Sequence, residues 1–311
     1  MNGKIFFIYL SIGCLTLACK DPFSQVIDLE IPEPEPGVAI FGRFSNRDTQ
    51  YHLSIGKAIS INEEVLQLSL PGQVFAEWLN PDGSVLNFEK TPWPNEPLPP
   101  QSFQPVVSLS SQELLPGKTY RVRVKYPGFP EVSALQIMPE PVALDQIAYF
   151  PEGGLAGFGE KADAFEIFIN DPPGTLNYYS LEAFREGMVI RGDINGSFDT
   201  TFFLSPINIR SSNPLVFDSE KLTFSDEQLL KTTIPSLRIN IDPIQNDGRT
   251  HRILFRLHHL TEDGFKFNAS YSAYQNAVDN PFAEPVTVYN NVSGGYGIFS
   301  LSNVSETWFE R

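Results

Sequence analysis

Three residues with side-chain oxygen atoms lie close together and could bind a calcium ion. They are Asp193, Asn195 and Asp199, within the stretch RGDINGSFD. Calcium takes six to eight oxygen ligands in proteins, but this stretch lacks the twelve-residue loop and terminal glutamate of the common calcium motif. Asn195-Gly196 is also typical of a two-residue β-hairpin turn. The hairpin is the preferred interpretation, and calcium binding is the weaker alternative.

The four histidines do not have the spacing of a metal site. Side chains alternate along an extended strand, so His258 and His259 point to opposite faces. His251 shares a face with His259, but the two lie roughly 26 Å apart along the strand. His52 is distant in sequence. The sequence therefore predicts no histidine-bound metal and no cofactor.

No motif singles out a catalytic residue. The chain has no Gly-x-Ser-x-Gly nucleophile elbow, and its 37 aspartates and glutamates contain no recognisable acid and base pair. A glycan hydrolase based on two carboxylates is therefore the third-ranked interpretation of function. The formal charge of -15 and the absence of a basic cluster argue against nucleic-acid binding.

The only two cysteines lie near the amino terminus, where they suggest an export signal. Lys4 precedes a mostly apolar run at residues 5–18, which is too short to span a bilayer. The run ends in Leu-Thr-Leu-Ala before Cys19, similar to the site at which lipoprotein signal peptides are cleaved. We expect residues 1–18 to be removed and Cys19 to carry lipid. Lipidation at Cys14, ordinary secretion and an uncleaved anchor are the alternatives.

Two proline-rich segments follow. Residues 19–36 contain alternating proline and glutamate, which predicts an extended tether between the lipid and the folded body. Residues 91–105 carry six prolines together with Trp93 and Phe103. Such a segment cannot join a central strand. The two aromatic side chains either pack back onto the core as a plug or form a surface for a partner.

Strand patterns dominate the rest of the chain. Residues 119–126 alternate, with Tyr120, Val122 and Val124 on one face and basic residues on the other. The turn residues 81–83, Pro-Asp-Gly, separate two apolar stretches and predict a hairpin. The sequence predicts an immunoglobulin-like antiparallel β-sandwich over residues 37–138.

A second β-rich domain is predicted over residues 139–311, after the proline-containing stretch at 138–142. Residues 252–260 form one of its strands, and a short helix is expected at 269–278. Asn268 is the expected helix cap, and Pro281 follows the helix. The predicted fold class is thus all-β with a single short helix.

Several motifs, in this order and spacing, resemble a lipoprotein family of the Bacteroidota that is known as a domain of unknown function. The resemblance rests on Ile27-Asp28-Leu29 and on residues 115–120, 171–174, 177–179, 271–274, 280–285 and 291–299. Genes of that family often lie beside genes for TonB-dependent outer-membrane receptors. The resemblance supplies no catalytic residues.

The resemblance implies a protein held in the outer membrane by its lipid, acting as a non-catalytic binding or accessory subunit of a TonB-dependent receptor. Its ligand is not indicated. An adhesion protein that works independently of transport is the alternative, and the Arg191-Gly192-Asp193 triplet is a weak signal for it. Lys20-Asp21 is a weak form of a surface-export signal, so both faces of the outer membrane stay open.

Overall fold

Antiparallel strands and one α-helix make up most of the described chain. The computed structural model describes residues 35–58, 74–90, 106–155, 159–192, 198–211, 217–218, 221–229, 235–244, 252–278, 283–284 and 286–311. The segments containing Cys14, Cys19, Trp93, Phe103, Asp193, Asn195 and His251 lie outside the described residues. The predicted all-β class with one helix is confirmed.

The strands divide between the two halves of the chain. The first half contains β1 (Gly37–Ser45), β2 (Gln50–Ala58), β3 (Phe75–Leu79), β4 (Val85–Asn87), β5 (Glu89–Lys90), β6 (Val106–Ser110), β7 (Thr119–Lys125) and β8 (Val132–Ile137). The second half contains β9 (Leu144–Leu155), β10 (Lys161–Ile169), β11 (Tyr178–Gly192), β12 (Phe198–Ile207), β13 (Ile209–Ser211), β14 (Phe217–Asp218), β15 (Leu222–Ser225), β16 (Ser236–Ile241), β17 (Arg252–Leu260), the helix α1 (Glu262–Val278) and β18 (Tyr296–Glu310).

A ten-stranded sheet connects the two halves. Its strand order is β14-β15-β11-β17-β18-β1-β2-β6-β5, and β12 pairs with β11. Two four-stranded sheets, β4-β3-β7-β8 and β13-β16-β10-β9, complete the fold. Both pack on the same face of the large sheet, because the odd-numbered side chains of β18 enter both hydrophobic cores. We call this the inner face and the opposite one the outer face.

The first core confirms the predicted strand patterns. Tyr120, Val122 and Val124 of β7 are buried, and β3 and β4 form the hairpin around the predicted turn. Trp78 is fully buried against the rings of Phe44, Tyr51, Tyr120 and Phe299. Edge-to-face and tilted ring pairs of this kind add to the free energy of burial.

The last strand is part of both halves. β18 runs parallel to β1 and antiparallel to β17, so it lies between strands that are far apart in sequence. Gly297 has a φ of 111°, and a Cβ there would lie 1.8 Å from the carbonyl oxygen of Ile40. Only glycine fits this backbone conformation and this close approach.

The predicted boundary at residue 138 lies between the two hydrophobic cores. The first core takes most of its residues from 38–138, and the second from 142–257. However, Val292, Phe299 and Leu301 also belong to the first core, and the chain from Pro36 to Arg311 forms one compact unit. The sandwich is therefore not built from residues 37–138 alone. Independent folding of two domains stays a prediction.

The helix begins earlier than predicted. α1 starts at Glu262, not at residue 269, and Asn268 lies within it rather than capping it. The Thr261 hydroxyl accepts a hydrogen bond from the Gly264 N–H, which satisfies a free donor of the first turn. Among the described residues, no helix has the length and apolar character needed to cross a membrane.

Candidate functional site

The outer face of the large sheet carries mostly polar side chains beside α1. Register places Ser180 of β11 directly opposite His258 of β17, and Leu260 opposite Ser302 of β18. On the other side of Ser302 lies Ser45 of β1. Side chains on one face of neighbouring strands stand close enough to interact. Four strands thus bring hydroxyl, imidazole and carboxylate groups together.

A short hydrogen-bonded chain is centred on His258. Its Nε2 lies 3.0 Å from Oε2 of Glu182, and its Nδ1 lies 3.4 Å from the hydroxyl of Ser302. Lys221 places its Nζ 2.6 Å from the other oxygen of Glu182. The imidazole therefore bridges a carboxylate and a hydroxyl.

The protonation states follow from burial and charge. Burial opposes ionisation of Glu182, but the hydrogen bond from His258 and the charge of Lys221 prevail and lower its pKa to about 2. Burial also lowers the pKa of His258, against the raising effect of its bond to Glu182. At neutral pH, Glu182 is a carboxylate and His258 is a neutral ring.

These states fix the direction of each hydrogen bond. A carboxylate only accepts, so Nε2 of His258 must carry the proton and donate to Glu182. In a neutral imidazole the other nitrogen is then an acceptor. The Ser302 hydroxyl donates to Nδ1, and the free lone pairs of its oxygen remain as acceptors.

A cavity of about 250 Å³ lies over this chain. It is lined by Arg43, Phe44, Ser45, Asp48, Ser180, Lys221, His258, Leu260, Gly264, Ser300 and Ser302. Ser180 is 1% exposed, and its hydroxyl has no hydrogen-bond partner among the described residues. Buried hydroxyls are almost always hydrogen-bonded, to protein or to ordered water, so this one lacks the partner that a bound molecule or a water would supply.

A second cavity of about 390 Å³ adjoins the first, since Arg43 and Lys221 line both. Its other lining residues come from β15 and α1: Thr223, Asn268, Tyr271, Ser272 and Gln275. Tyr271 is 43% exposed and stacks between Phe267 and Tyr274. The combined groove offers hydroxyls, amides, two cations and one partly exposed aromatic ring.

An ion-pair ladder continues from the cavity along the outer face. Arg256 binds Glu306 at 2.8 Å and lies over the ring of Phe184. Arg252 binds Glu186 and Glu310 at 2.8 Å each and lies over Trp308. The carboxylates of this ladder are paired with arginines, so the ladder serves to hold neighbouring strands and offers no evident general acid.

The structure places His258 and His259 on opposite faces of the large sheet, as strand alternation predicts. His259 lies on the inner face, where its ring packs against Tyr179 and its Nδ1 lies 2.7 Å from the Glu140 carbonyl oxygen. No group of residues with metal-binding geometry occurs in the described ranges. Asp199 lies opposite Arg191 in the β11–β12 pair. Calcium binding there stays untested, because Asp193 and Asn195 lie outside those ranges.

An acidic corner near Asp171 is explained by turn geometry. Asp171 accepts hydrogen bonds from the side chains of Asn177 and Tyr179, and Asp226 accepts one from the Asn177 N–H. Burial and the nearby Asp171 charge raise the pKa of Asp226. The segment 171–174, Asp-Pro-Pro-Gly, follows the end of β10 and turns the chain, with Gly174 at a φ of 86°.

The outer half of the β11–β12 hairpin exposes apolar side chains. β17 pairs with β11 only as far as Arg185, whereas β12 follows β11 to Gly192. Beyond Arg185, six large side chains are 41–61% exposed: Met188, Val189, Ile190, Phe202, Phe203 and Leu204. We call these six residues the hairpin patch. Alternation along the two strands places Met188, Ile190, Phe202 and Leu204 on one face of the hairpin and Val189 and Phe203 on the other. Exposed apolar surface of this kind is typical of interaction sites.

Sequence reasoning missed most of the residues that line the cavity. Ser180 and Glu182 of β11, His258 of β17 and Ser302 of β18 lie in three strands that only the tertiary fold brings together. A signal was present, since serine, arginine, histidine and glutamate recur at every second position of 180–182, 256–258 and 300–302. That alternation predicts a polar sheet face but not its neighbours.

Comparison with known proteins gives one sequence match. The model of the family DUF4249, described as a domain of unknown function, matches residues 25–307. No match was found among curated proteins.

Two solved structures match the chain at low identity. A DUF4785 family protein from Legionella pneumophila is 11% identical, with a TM-score of 0.21; the match covers 71% of this chain and 51% of that one. The I-band fragment I67-I69 from titin is 10% identical, with a TM-score of 0.20; the match covers 86% of this chain and 63% of that one. These scores are too low to assign a function.

Proposed function

Since the chain belongs to the DUF4249 family, a domain of unknown function, we propose that it is a lipoprotein of the outer membrane that serves as a non-catalytic binding or accessory subunit of a TonB-dependent receptor. The lipid is expected on Cys19, and residues 19–36 would act as the tether. The resemblance to Bacteroidota lipoproteins supports both points. The receptor role is further supported by the surface of the folded body.

The hairpin patch is the observation that carries the proposal. Its apolar side chains project beyond the strands that cover the first half of β11. Removing apolar surface from water lowers the free energy by about 25 cal/mol per Å². Exposure of these side chains therefore does not stabilise the fold, whereas a partner that covers them would gain this free energy. A membrane-embedded receptor offers an apolar, strand-rich partner for this surface. Trp93 and Phe103 remain a second predicted contact, outside the described residues.

Receptor co-purification tests the proposal. We expect Met188→Ser combined with Phe202→Ser to reduce the amount of TonB-dependent receptor recovered with the affinity-tagged protein from detergent-solubilised membranes. Both residues are more than half exposed, so the melting temperature should change little. The receptor is identified by mass spectrometry, which also reveals any different partner.

A matched control uses equally exposed apolar residues elsewhere. Leu135 and Ile137 of β8 are 50% and 56% exposed, and they lie on an edge strand of a four-stranded sheet. Leu135→Ser with Ile137→Ser should leave receptor recovery intact. Equal loss in both double variants, or unchanged recovery in the hairpin variant, would refute a specific role for the hairpin patch.

The alternatives give different results in the same preparations. An adhesion protein independent of transport would bind cells or matrix without recovering a receptor. A carboxylate-based glycan hydrolase would release sugar, and a single carboxylate substitution would abolish this release. Glu182 is a poor general acid for such a reaction, because its pKa of about 2 leaves it ionised at neutral pH.

A further inference from the structure

We propose that the paired cavities beside α1 bind a neutral, polyhydroxylated ligand, most simply a sugar unit. This inference deepens the proposed binding role by naming the class of ligand. It rests on the unpartnered hydroxyl of Ser180, on the hydrogen-bond direction at Ser302 and on the exposed ring of Tyr271.

The site combines donors and acceptors within one cavity. Arg43 and Lys221 donate, and Asp48 accepts, already taking one bond from the Ser45 N–H at 2.7 Å. Ser302 faces the cavity with acceptor lone pairs only, because its proton goes to His258. Ser180 can donate and accept. A ligand hydroxyl does both, so several hydroxyls on one ligand satisfy this mixed set.

An acid group fits the same set less well. A carboxylate brings only acceptor oxygens, which would face the acceptors of Ser302 and Asp48 without a proton between them. Lys221 is already bound to Glu182 at 2.6 Å, so its charge is partly neutralised. Donor and acceptor balance therefore favours a neutral polyol over an anion.

The groove formed by α1 provides the remaining features. Asn268 and Gln275 contribute amides, each of which both donates and accepts, and Tyr271 contributes an aromatic ring that is 43% exposed. A sugar ring presents hydroxyls at its edge and C–H groups on its faces. Small-molecule sites commonly combine apolar surface with a few convergent polar groups in this way.

The test measures binding of a defined probe panel to the purified full-length chain. The panel contains glucose, galactose, mannose, N-acetylglucosamine and maltose, observed by saturation-transfer NMR at millimolar concentrations. We expect at least one sugar to bind. Tyr271→Ala should weaken that binding about tenfold or more, which corresponds to about 1.4 kcal/mol. Its neighbour Tyr274, 42% exposed but not a cavity residue, provides the matched control Tyr274→Ala, which should retain binding.

Ser180→Ala separates a ligand role from a structural one. Removing an unpartnered buried hydroxyl should leave the melting temperature of the ligand-free protein unchanged or raise it. The same variant should lose sugar binding. Loss of binding with a maintained melting temperature supports the proposal, whereas full binding by Ser180→Ala contradicts it.

Two further outcomes would overturn the assignment. One is the failure of every neutral sugar in the panel to bind. The other is binding of inorganic phosphate or citrate that depends on Arg43, shown by its loss in Arg43→Gln. Receptor recovery is measured separately with the hairpin variants, so failure of the sugar site and failure of the receptor proposal are distinguishable.

Discussion

The inner and outer faces of the ten-stranded sheet differ in chemistry, although their side chains alternate along the same strands. His258 and His259 are neighbours in β17, but one lies beside the outer cavity and the other packs against Tyr179 in the core. The inner face buries Ile253, Phe255 and Leu257 under a four-stranded sheet. Packing of apolar side chains therefore determines the inner face.

The outer face is partly free of this constraint. Its arginines, glutamates and serines form cross-strand pairs and a cavity, while α1 covers only part of the surface. Substitutions on the outer face are expected to cost little folding free energy. Residues of a binding site can therefore lie on this face without disturbing the packing of the core. The difference between the faces can be tested by paired substitutions.

The largest effect is expected at Phe255 on the inner face. Phe255→Ala removes a fully buried ring that packs on Phe165, and it should reduce the free energy of unfolding by about 3–5 kcal/mol. Trp308→Ala on the outer face removes a ring that is 40% exposed, with a cation–π contact to Arg252 worth about 1 kcal/mol or less. Urea denaturation measures both. Equal losses of unfolding free energy in the two variants would contradict the proposed difference between the inner and outer faces.

A smaller loss is expected where β18 joins the two halves. Gly297→Ala forces a side chain into a positive φ and against the Ile40 carbonyl, and it should cost about 2–3 kcal/mol. Gly56→Ala in β2 is the control, because a Cβ there meets nothing within 4 Å. Thermal unfolding of both variants tests this. If Gly297→Ala is as stable as the control, the parallel pair of β1 and β18 can shift to accommodate the added methyl group.

Acid should destabilise the protein through both histidines. Burial lowers the folded-state pKa of His258 and His259 below the ordinary 6.5. Below pH 6.5 these histidines are protonated more readily in the unfolded chain than in the folded chain, so acid favours unfolding. Their contribution to the free energy of unfolding is therefore fully present above pH 6.5 and is lost as the pH falls below it. Glu182 adds a further loss as pH falls from its ordinary 4.5 towards about 2.

The two histidine substitutions measure this pH dependence on each face. His258→Gln and His259→Gln should each flatten the curve of unfolding free energy against pH in the window just below 6.5. Chemical denaturation at a series of pH values gives the curves. An unchanged slope in both variants would show that other groups cause the acid sensitivity.

The smallest effect is expected in the ion-pair ladder. Arg252→Gln removes contacts to Glu186 and Glu310, but solvent screens this exposed arginine, so the loss of unfolding free energy should be the smallest of the series. High salt should reduce the difference from the wild type, because it screens exposed charges. The Phe255→Ala loss should not depend on salt in this way. A salt-independent loss for Arg252→Gln would indicate that packing on Trp308 dominates.

Local patterns were sufficient to predict several elements. Alternation in β7 and β17, the turn at residues 81–83 and the hairpin joining β11 to β12 all appear as expected. Each depends on side-chain alternation or turn chemistry over a few residues. The helix start was missed because Gly264, normally a poor helix residue, is tolerated where the helix approaches Ser300 closely.

By itself, the sequence determined the all-β class and the opposite orientation of His258 and His259. Only the tertiary structure decided that β18 lies between β1 and β17, that both small sheets cover one face, and that Ser180, His258 and Ser302 surround one cavity. The physical reason is that strand order depends on contacts between distant segments. Alternation specifies the face on which a side chain lies, but the neighbours on that face are set by which strands pair.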